Sequence, residues 1–301
     1  MKKRTAQKLI FLLVIVYYGF QYIFGPTPVP AGRQQGIHTN GQHYYWYVPE
    51  KVAANPALAQ DIVAVIHGYS GQIGGEEGMK IAQNNLERFA DYADATNSIL
   101  IAPHFSEDIF DSDYQRFNLD EERSDSALIE IIEQVRQAFP NIDNNDLSLF
   151  GFSGGGQFVH RFCAFHPELI KKAVASGAGW YMWPDDNLDY PVGFDLSDHG
   201  NIAPIDTRRF LECNILVLIG DEDMTQGSFR EEYNGLDLND KQGDSRLERA
   251  IRWVDAIEDY ADRLNVKTNI ILRTVPDVEH KTSKPLMQEA FDYLKEDNLV
   301  Q

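Results

Sequence analysis

Six short stretches of this chain are apolar almost from end to end, and segments of helical period lie between them. The apolar stretches are DIVAVIHG (61–68), SILIAP (98–103), LSLFGF (147–152), KKAVASGAG (171–179), NILVLIG (214–220) and NIILRTVP (269–276). The spacing predicts helices over 77–95, 124–139, 157–166, 245–264 and 284–298, with Ser124 as an N-cap candidate. A strand that is apolar on both sides has both faces covered. Repeated strand–helix alternation therefore predicts an α/β fold with a parallel sheet between helical layers. Ahead of these, IHTNGQHYYWYVP (37–49) reads as strand material around an Asn-Gly turn.

Two segments break the rhythm. Residues 180–210 (WYMWPDDNLDYPVGFDLSDHGNIAPIDTRRF) are aromatic and Pro-broken, and residues 225–244 are polar. Loops this long usually serve function in a compact domain. The first eight residues carry four basic side chains, Lys2, Lys3, Arg4 and Lys8, and residues 9–24 form a 16-residue stretch without a charge. The Pro-rich GPTPVPAG follows, with Val29-Pro30-Ala31 a small-residue cleavage candidate. Residues 1–34 thus read as an export signal or membrane anchor with its linker, and 35–301 as the body, placed outside the cytoplasm. The membrane is then a partner through the N-terminal segment if it is not cleaved.

With 27 basic against 46 acidic residues the net charge is -19, which argues against nucleic acid as a partner. Cys163 and Cys213 lack metal-ligand spacing and read as buried small hydrophobes, with a disulfide open if the body is exported. No metal or organic cofactor is implied.

The chemistry concentrates at Gly151-Phe152-Ser153-Gly154-Gly155, a G-x-S-x-G with an apolar strand before it and a helical pattern after it. That context holds a serine hydroxyl on a sharp strand-to-helix turn, with a helix N-terminus beneath the reacting oxygen. A nucleophilic serine needs a base and an acid. His280, in the loop after the last strand, is the base candidate; His199 precedes strand 214–220 and reads as a surface or lid residue. Gly220-Asp221-Glu222-Asp223 supplies three competing carboxylates, of which Asp223 has room to turn over the strand end, while Asp221 suits a turn cap. The oxyanion donors expected are the N–H of Gly154 and that of Tyr69, with Gly68 second. His67 reads as orienting that loop. Tyr69, Trp180, Tyr181 and Trp183 are substrate-binding candidates, and Arg116 suits a substrate carboxylate or a surface ion pair.

The order strand–HG, strand–APHF, strand–GFSGGG, strand–GDED, strand–EH resembles the α/β-hydrolase superfamily over roughly residues 36–298. Within it the chain looks like the bacterial esterase and polyhydroxybutyrate-depolymerase-like branch. The resemblance implies an eight-stranded, mostly parallel sheet with helices on both faces. It also implies a Ser153–Asp223–His280 triad and a lid-like insert (180–210) after the strand that follows the elbow. The third glycine, Gly156, departs from a minimal member and leaves room for a neighbouring loop. The expected activity is cleavage of a small-molecule or polyester-like carboxylic ester through an acyl-enzyme. Two other readings stand beside it: a peptidase or amidase on the same triad, and a scaffold that binds a ligand without turning it over.

Overall fold

The computed structural model describes residues 29–69, 74–139, 141–225 and 238–296. Eight strands form one sheet: β1 (Gly32–Ile37), β2 (His43–Val48), β3 (Ile62–Ile66), β4 (Ile99–Pro103), β5 (Leu147–Phe152), β6 (Ile170–Ser176), β7 (Ile215–Gly220) and β8 (Ile270–Val275). Their order is β1-β2-β4-β3-β5-β6-β7-β8, with β2 antiparallel to both of its neighbours, β1 and β4, and the other pairs parallel. The described helices are α1 (Glu50–Ala54), α2 (Gly75–Thr96), α3 (Glu107–Phe110), α4 (Ser124–Arg136), α5 (Gly154–Phe165), α6 (Thr207–Glu212), α7 (Leu238–Gln242), α8 (Arg246–Leu264) and α9 (Lys284–Lys295).

The period of two along each strand sorts the core into two layers. Val63 and Val65 of β3 and Phe150 of β5 pack with Leu86 and Phe89 of α2 and Leu286 and Met287 of α9. Their neighbours Ile62, Ala64, Ile66, Leu147 and Leu149 point the other way, onto Leu128 and Ile131 of α4, Phe158 and Phe162 of α5 and Trp253 and Ile257 of α8. Each such large side chain contributes roughly 1.5–3 kcal/mol on burial, which is why the strands carry so little polar sequence.

The chain runs β3, then outward to β4, then back to β5 on the other side of β3. The sheet therefore reverses its winding between β3 and β5, the kind of point where open α/β sheets leave a crevice at their carboxyl ends. Four loops meet at that edge, those after β3, β5, β7 and β8.

Local differences from the sequence reading have plain causes. The hairpin opens at Gly32, not near Gln35. GRQQGI alternates between half-buried and exposed positions, so an edge strand carries no apolar run to read. Val29 is buried against the core, so the last residues of the anticipated linker belong to the folded body. The Asn40-Gly41 turn stands where expected, with Gly41 at φ 90°. Ser124 does not cap its helix; its hydroxyl donates to the Tyr114 carbonyl at 2.6 Å. The anticipated signal or anchor (1–28 of it) lies outside the described residues, among which no helix is long and apolar enough to cross a membrane. Cys163 and Cys213 are buried and free.

The 180–210 segment is less a lid than a packed wall. Tyr181 and Met182 are fully buried, and Tyr190, Phe194 and Leu196 join the main core. Its backbone is fastened from below. His160 Nε2 accepts from the Met182 N–H at 3.0 Å, and the Trp253 indole donates to the Met182 carbonyl at 2.7 Å. The Gln242 side chain exchanges two bonds with the Tyr181 backbone, at 3.0 and 2.8 Å. Arg249 is 1% exposed and donates to the carbonyls of Gly179 (2.6 Å) and Gly243 (2.9 Å). Burial lowers its guanidinium to about 10. Replacing Arg249 by Met keeps the packing and orphans those carbonyls. Arg249→Met is expected to cost about 2–4 kcal/mol in urea denaturation; a loss below about 0.5 kcal/mol would mean that the guanidinium does not hold the wall.

Candidate active site

Ser153 sits between β5 and α5 at φ 58°, ψ -114°, a conformation that costs a non-glycine residue about 1–3 kcal/mol. The neighbouring glycines make the turn possible through contact, not flexibility. A Cβ on Gly151 would lie 2.2 Å from the Gly155 carbonyl oxygen, and one on Gly155 would lie 2.4 Å from that of Ile66. A Cβ on Gly156 would meet the Ser176 carbonyl at 2.6 Å. The third glycine therefore makes room for the end of strand β6, not for a loop.

The turn lifts the Ser153 hydroxyl to 3.1 Å from His280 Nε2. His280 Nδ1 lies 2.6 Å from Asp223 Oδ2. Asp223 is 1% exposed, and its second oxygen accepts from the Thr225 hydroxyl at 2.6 Å. The imidazole stacks on Phe152, ring centroids 4.7 Å apart. Gly177, at φ 53°, leaves the space behind the ring, since a Cβ there would lie 3.0 Å from Phe152 and 3.4 Å from His280. Of the competing carboxylates, Asp221 instead accepts from the Asp277 N–H at 2.8 Å, bracing the β7 loop against the β8 loop. His199 stands away from this cluster, 3.2 Å from Asp120.

Tyr69 and Gly154 approach closely: a Cβ on Gly154 would be 2.8 Å from the Tyr69 nitrogen. Gly68 lies against the elbow, where a Cβ would be 3.1 Å from the Phe152 carbonyl oxygen. The loop carrying Tyr69 is held by His67. Its Nδ1–H donates to the Gly68 carbonyl at 3.0 Å, and its Nε2 accepts from the Phe105 N–H at 3.0 Å. Both bonds together require the neutral ring. Tyr114 closes the arrangement by donating to the His67 carbonyl at 2.7 Å. Burial lowers His67 to about 4, and burial likewise depresses His160.

The sequence candidates for substrate contact separate here. Tyr69 lines both cavities that meet at Ser153, and Trp180 lines one of them. Tyr181 does not reach either; it stacks on Trp253 at 4.8 Å inside the core. Trp183 also lines neither, packing on the core with Lys241 above its ring. Both follow Trp180 directly, but the bonds to Met182 and Tyr181 turn the backbone down into the protein. Arg116 is nearly buried and pairs with Asp113. Thr225, Gln157 and Arg246 were not legible as site residues, because no motif spacing connects them to Ser153.

No protein-family model and no curated protein matches the chain. Solved structures do. Poly(aspartic acid) hydrolase-1 from Sphingomonas sp. KT-1 is 26% identical, with a TM-score of 0.70 over 88% of this chain and 98% of that one. The chain has the α/β-hydrolase fold. A poly(3-hydroxybutyrate) depolymerase from Bordetella parapertussis is 22% identical, with a TM-score of 0.66 over 83% of this chain and 86% of that one. An S-formylglutathione hydrolase from Agrobacterium tumefaciens is 15% identical, with a TM-score of 0.55 over 87% and 92%. The likeness to esterases and polyhydroxybutyrate depolymerases expected from the motif order is met among these neighbours.

Two outcomes follow. Gly155→Ala forces a methyl onto the backbone oxygens of Ile66 and His67, neither of which has room to retreat. It is expected to cost about 3 kcal/mol or more in chemical denaturation; a loss within about 0.5 kcal/mol would show a looser turn. His67 is neutral in the folded protein and protonates near the usual 6.5 when unfolded, so acid favours the unfolded chain. Its contribution is complete above pH 6.5 and is lost as pH falls toward about 4. The loss is roughly 3 kcal/mol at about 1.4 kcal/mol per unit. Urea midpoints measured across that range fall in the wild type and fall less steeply in His67→Gln; equal slopes would remove His67 as the cause.

Proposed function

We propose that this chain is a serine hydrolase that cleaves a carboxylic ester through an acyl-enzyme. The observation that carries the reading is the continuous path from Ser153 Oγ through His280 to the buried Asp223, at 3.1 and 2.6 Å. Ser153 attacks the ester carbonyl while its proton passes to His280 Nε2. Asp223 accepts from Nδ1–H, holds the ring in the tautomer that leaves Nε2 free to receive, and offsets the charge of the imidazolium. The N–H groups of Gly154 and Tyr69, with Gly68 adjacent, stabilise the oxyanion as it forms. His280 returns the proton to the departing alkoxide, then activates water, whose attack on the acyl-Ser153 carbonyl regenerates the serine.

The neighbours with this fold are named as an esterase, a poly(3-hydroxybutyrate) depolymerase, a poly(aspartic acid) hydrolase and an S-formylglutathione hydrolase. A small-molecule ester or a short polyester segment is the substrate class proposed. The catalytic body is placed outside the cytoplasm, on the strength of the basic tip and the 16-residue uncharged stretch of residues 9–24.

The test is labelling with a fluorophosphonate probe, peptide mapping of the adduct, and a panel of esters and amides. One adduct on Ser153 is expected, absent in Ser153→Ala. Asp223→Asn is expected to lower kcat by roughly 10⁴-fold, because the acceptor for Nδ1–H is gone. A folded wild type that takes no label and turns over nothing would sink the enzyme reading and favour a binding scaffold. Faster turnover of amides than of matched esters would make it an amidase.

A further inference from the structure

Two cavities open at Ser153, one mainly apolar and one mainly polar. One, of about 310 Å³, is walled mainly by Ile81, Phe89, Phe150, Phe152 and Met287; its lining also includes His280 and Arg88, whose guanidinium donates to the Thr282 hydroxyl at 3.0 Å. The other, of about 260 Å³, is lined by Tyr69, Gln115, Arg116, Gln157, Trp180 and Arg246 among others, and no carboxylate lines it. In a chain of net charge -19, a cavity with two guanidinium groups and no acid among the described residues of its wall is a local reversal of sign.

Arg116 already has Asp113 beside it. Among the described residues no carboxylate forms an ion pair with Arg246, although the Asp223 charge is near enough to act on it. Its Nη1 donates to the carbonyl and hydroxyl of Thr225, whose hydroxyl proton goes to Asp223. Its Nε is buried without a partner. The side-chain oxygens of Gln115 and Gln157 are also buried without partners, and that of Gln115 stays an acceptor because its Nε2 donates to the Ser112 carbonyl at 3.1 Å. A carboxamide turned by 180° presents NH₂ where its oxygen stood, so Gln157 is able to donate there. A buried donor left unbonded, as Arg246 Nε is, costs about 1–3 kcal/mol unless a ligand satisfies it. The ligand that suits planar N–H donors beside a cationic wall is a carboxylate.

The position of His280 fixes which part of the substrate bears it. His280 must reach the leaving oxygen, and it lines the apolar cavity but not the cationic one. The leaving alcohol therefore lies on the apolar side and the acyl group on the side of Arg246.

Resting on the serine-hydrolase reading, we infer that the cavity lined by Arg246, Arg116 and Gln157 binds a carboxylate on the acyl part of the substrate, so that the preferred substrates are monoesters of dicarboxylic acids with an apolar alcohol. Trp180 forms the apolar side of this subsite. The Arg161 guanidinium lies 4.4 Å over its ring, and Arg161 also donates to the Gln157 carbonyl at 3.0 Å, which fixes both walls.

The experiment compares kcat/KM of the full chain on the 4-nitrophenyl monoester of adipic acid and on 4-nitrophenyl heptanoate, its uncharged counterpart. The wild type is expected to favour the carboxylate ester by about tenfold or more, the usual worth of a charge-assisted bond. Arg246→Gln is expected to erase most of that ratio, and Arg246→Lys to restore part of it. Arg116→Gln is expected to lower it less. The ratio is the readout because Arg246 also touches Thr225, so both substrates slow together if only the triad is disturbed. If Arg246→Gln does not fold, the wild-type ratio and its fall in 0.5 M NaCl decide. A ratio near one, with the neutral ester turned over normally, overturns the subsite and leaves the serine-hydrolase reading intact. Turnover of neither ester, with no fluorophosphonate adduct on Ser153, overturns both.

Discussion

The structure depends on how closely one helix approaches the ends of three strands. Helix α5 touches the backbone of β3 at Ile66, of β5 at Gly151 and of β6 at Ser176, and each contact occurs at a glycine. Nothing larger fits, so the strand ends, the helix N-terminus and Ser153 form one rigid unit. The strain in the Ser153 backbone persists because that unit leaves it no alternative. Rigidity here has a chemical use. A hydroxyl that wandered by 1 Å would lose the alignment with His280 on which proton transfer depends.

The same economy governs the polar groups that support the edge. His67 and His160 are both buried, and each spends its two ring nitrogens on backbone partners. His67 joins β3 to the loop after β4, and His160 joins α5 to the segment after β6. Neutral histidine suits this work because it offers one donor and one acceptor in a rigid plane. Arg249 and Gln242 do the corresponding work from the far side, through the carbonyls of Gly179, Gly243 and Tyr181. The aromatic segment after β6 is therefore held as a wall whose upper edge, Trp180, faces the reacting serine.

Much of this was legible in the chain because strands with both faces covered must be apolar throughout, and because a strand-to-helix turn this tight can be built only with glycine. The tight turn at Ser153 and the nearness of His280 and Asp223, not Asp221, to it all followed from position relative to such strands. Edge strand β1 was not legible, since GRQQGI alternates only between half-buried and exposed positions and carries no apolar run. Tyr181 and Trp183 misled for a related reason. Aromatic content signals burial, and sequence does not say whether a ring is buried by the core or by a ligand. Arg246 was hidden because it reaches the site from a distant helix start, beyond any local spacing rule.

The charge distribution adds a last constraint. For the carboxylate substrate proposed above, a net charge of -19 repels at long range, while the guanidinium of Arg246 would attract it only within the cleft. At physiological ionic strength the Debye length is about 8 Å, comparable to the size of such a cleft, so the repulsion acts mainly on approach and the attraction on arrival. Partial burial of Arg246 shields it from the counter-ions that screen the surface acids. A surface of this kind slows anions that lack a scissile ester no less than substrates, but it holds only those whose carboxylate reaches the arginine while the carbonyl reaches Ser153. On that proposal selectivity comes from the distance between two groups on the substrate, measured by a protein whose own backbone fixes the separation between Arg246 and Ser153.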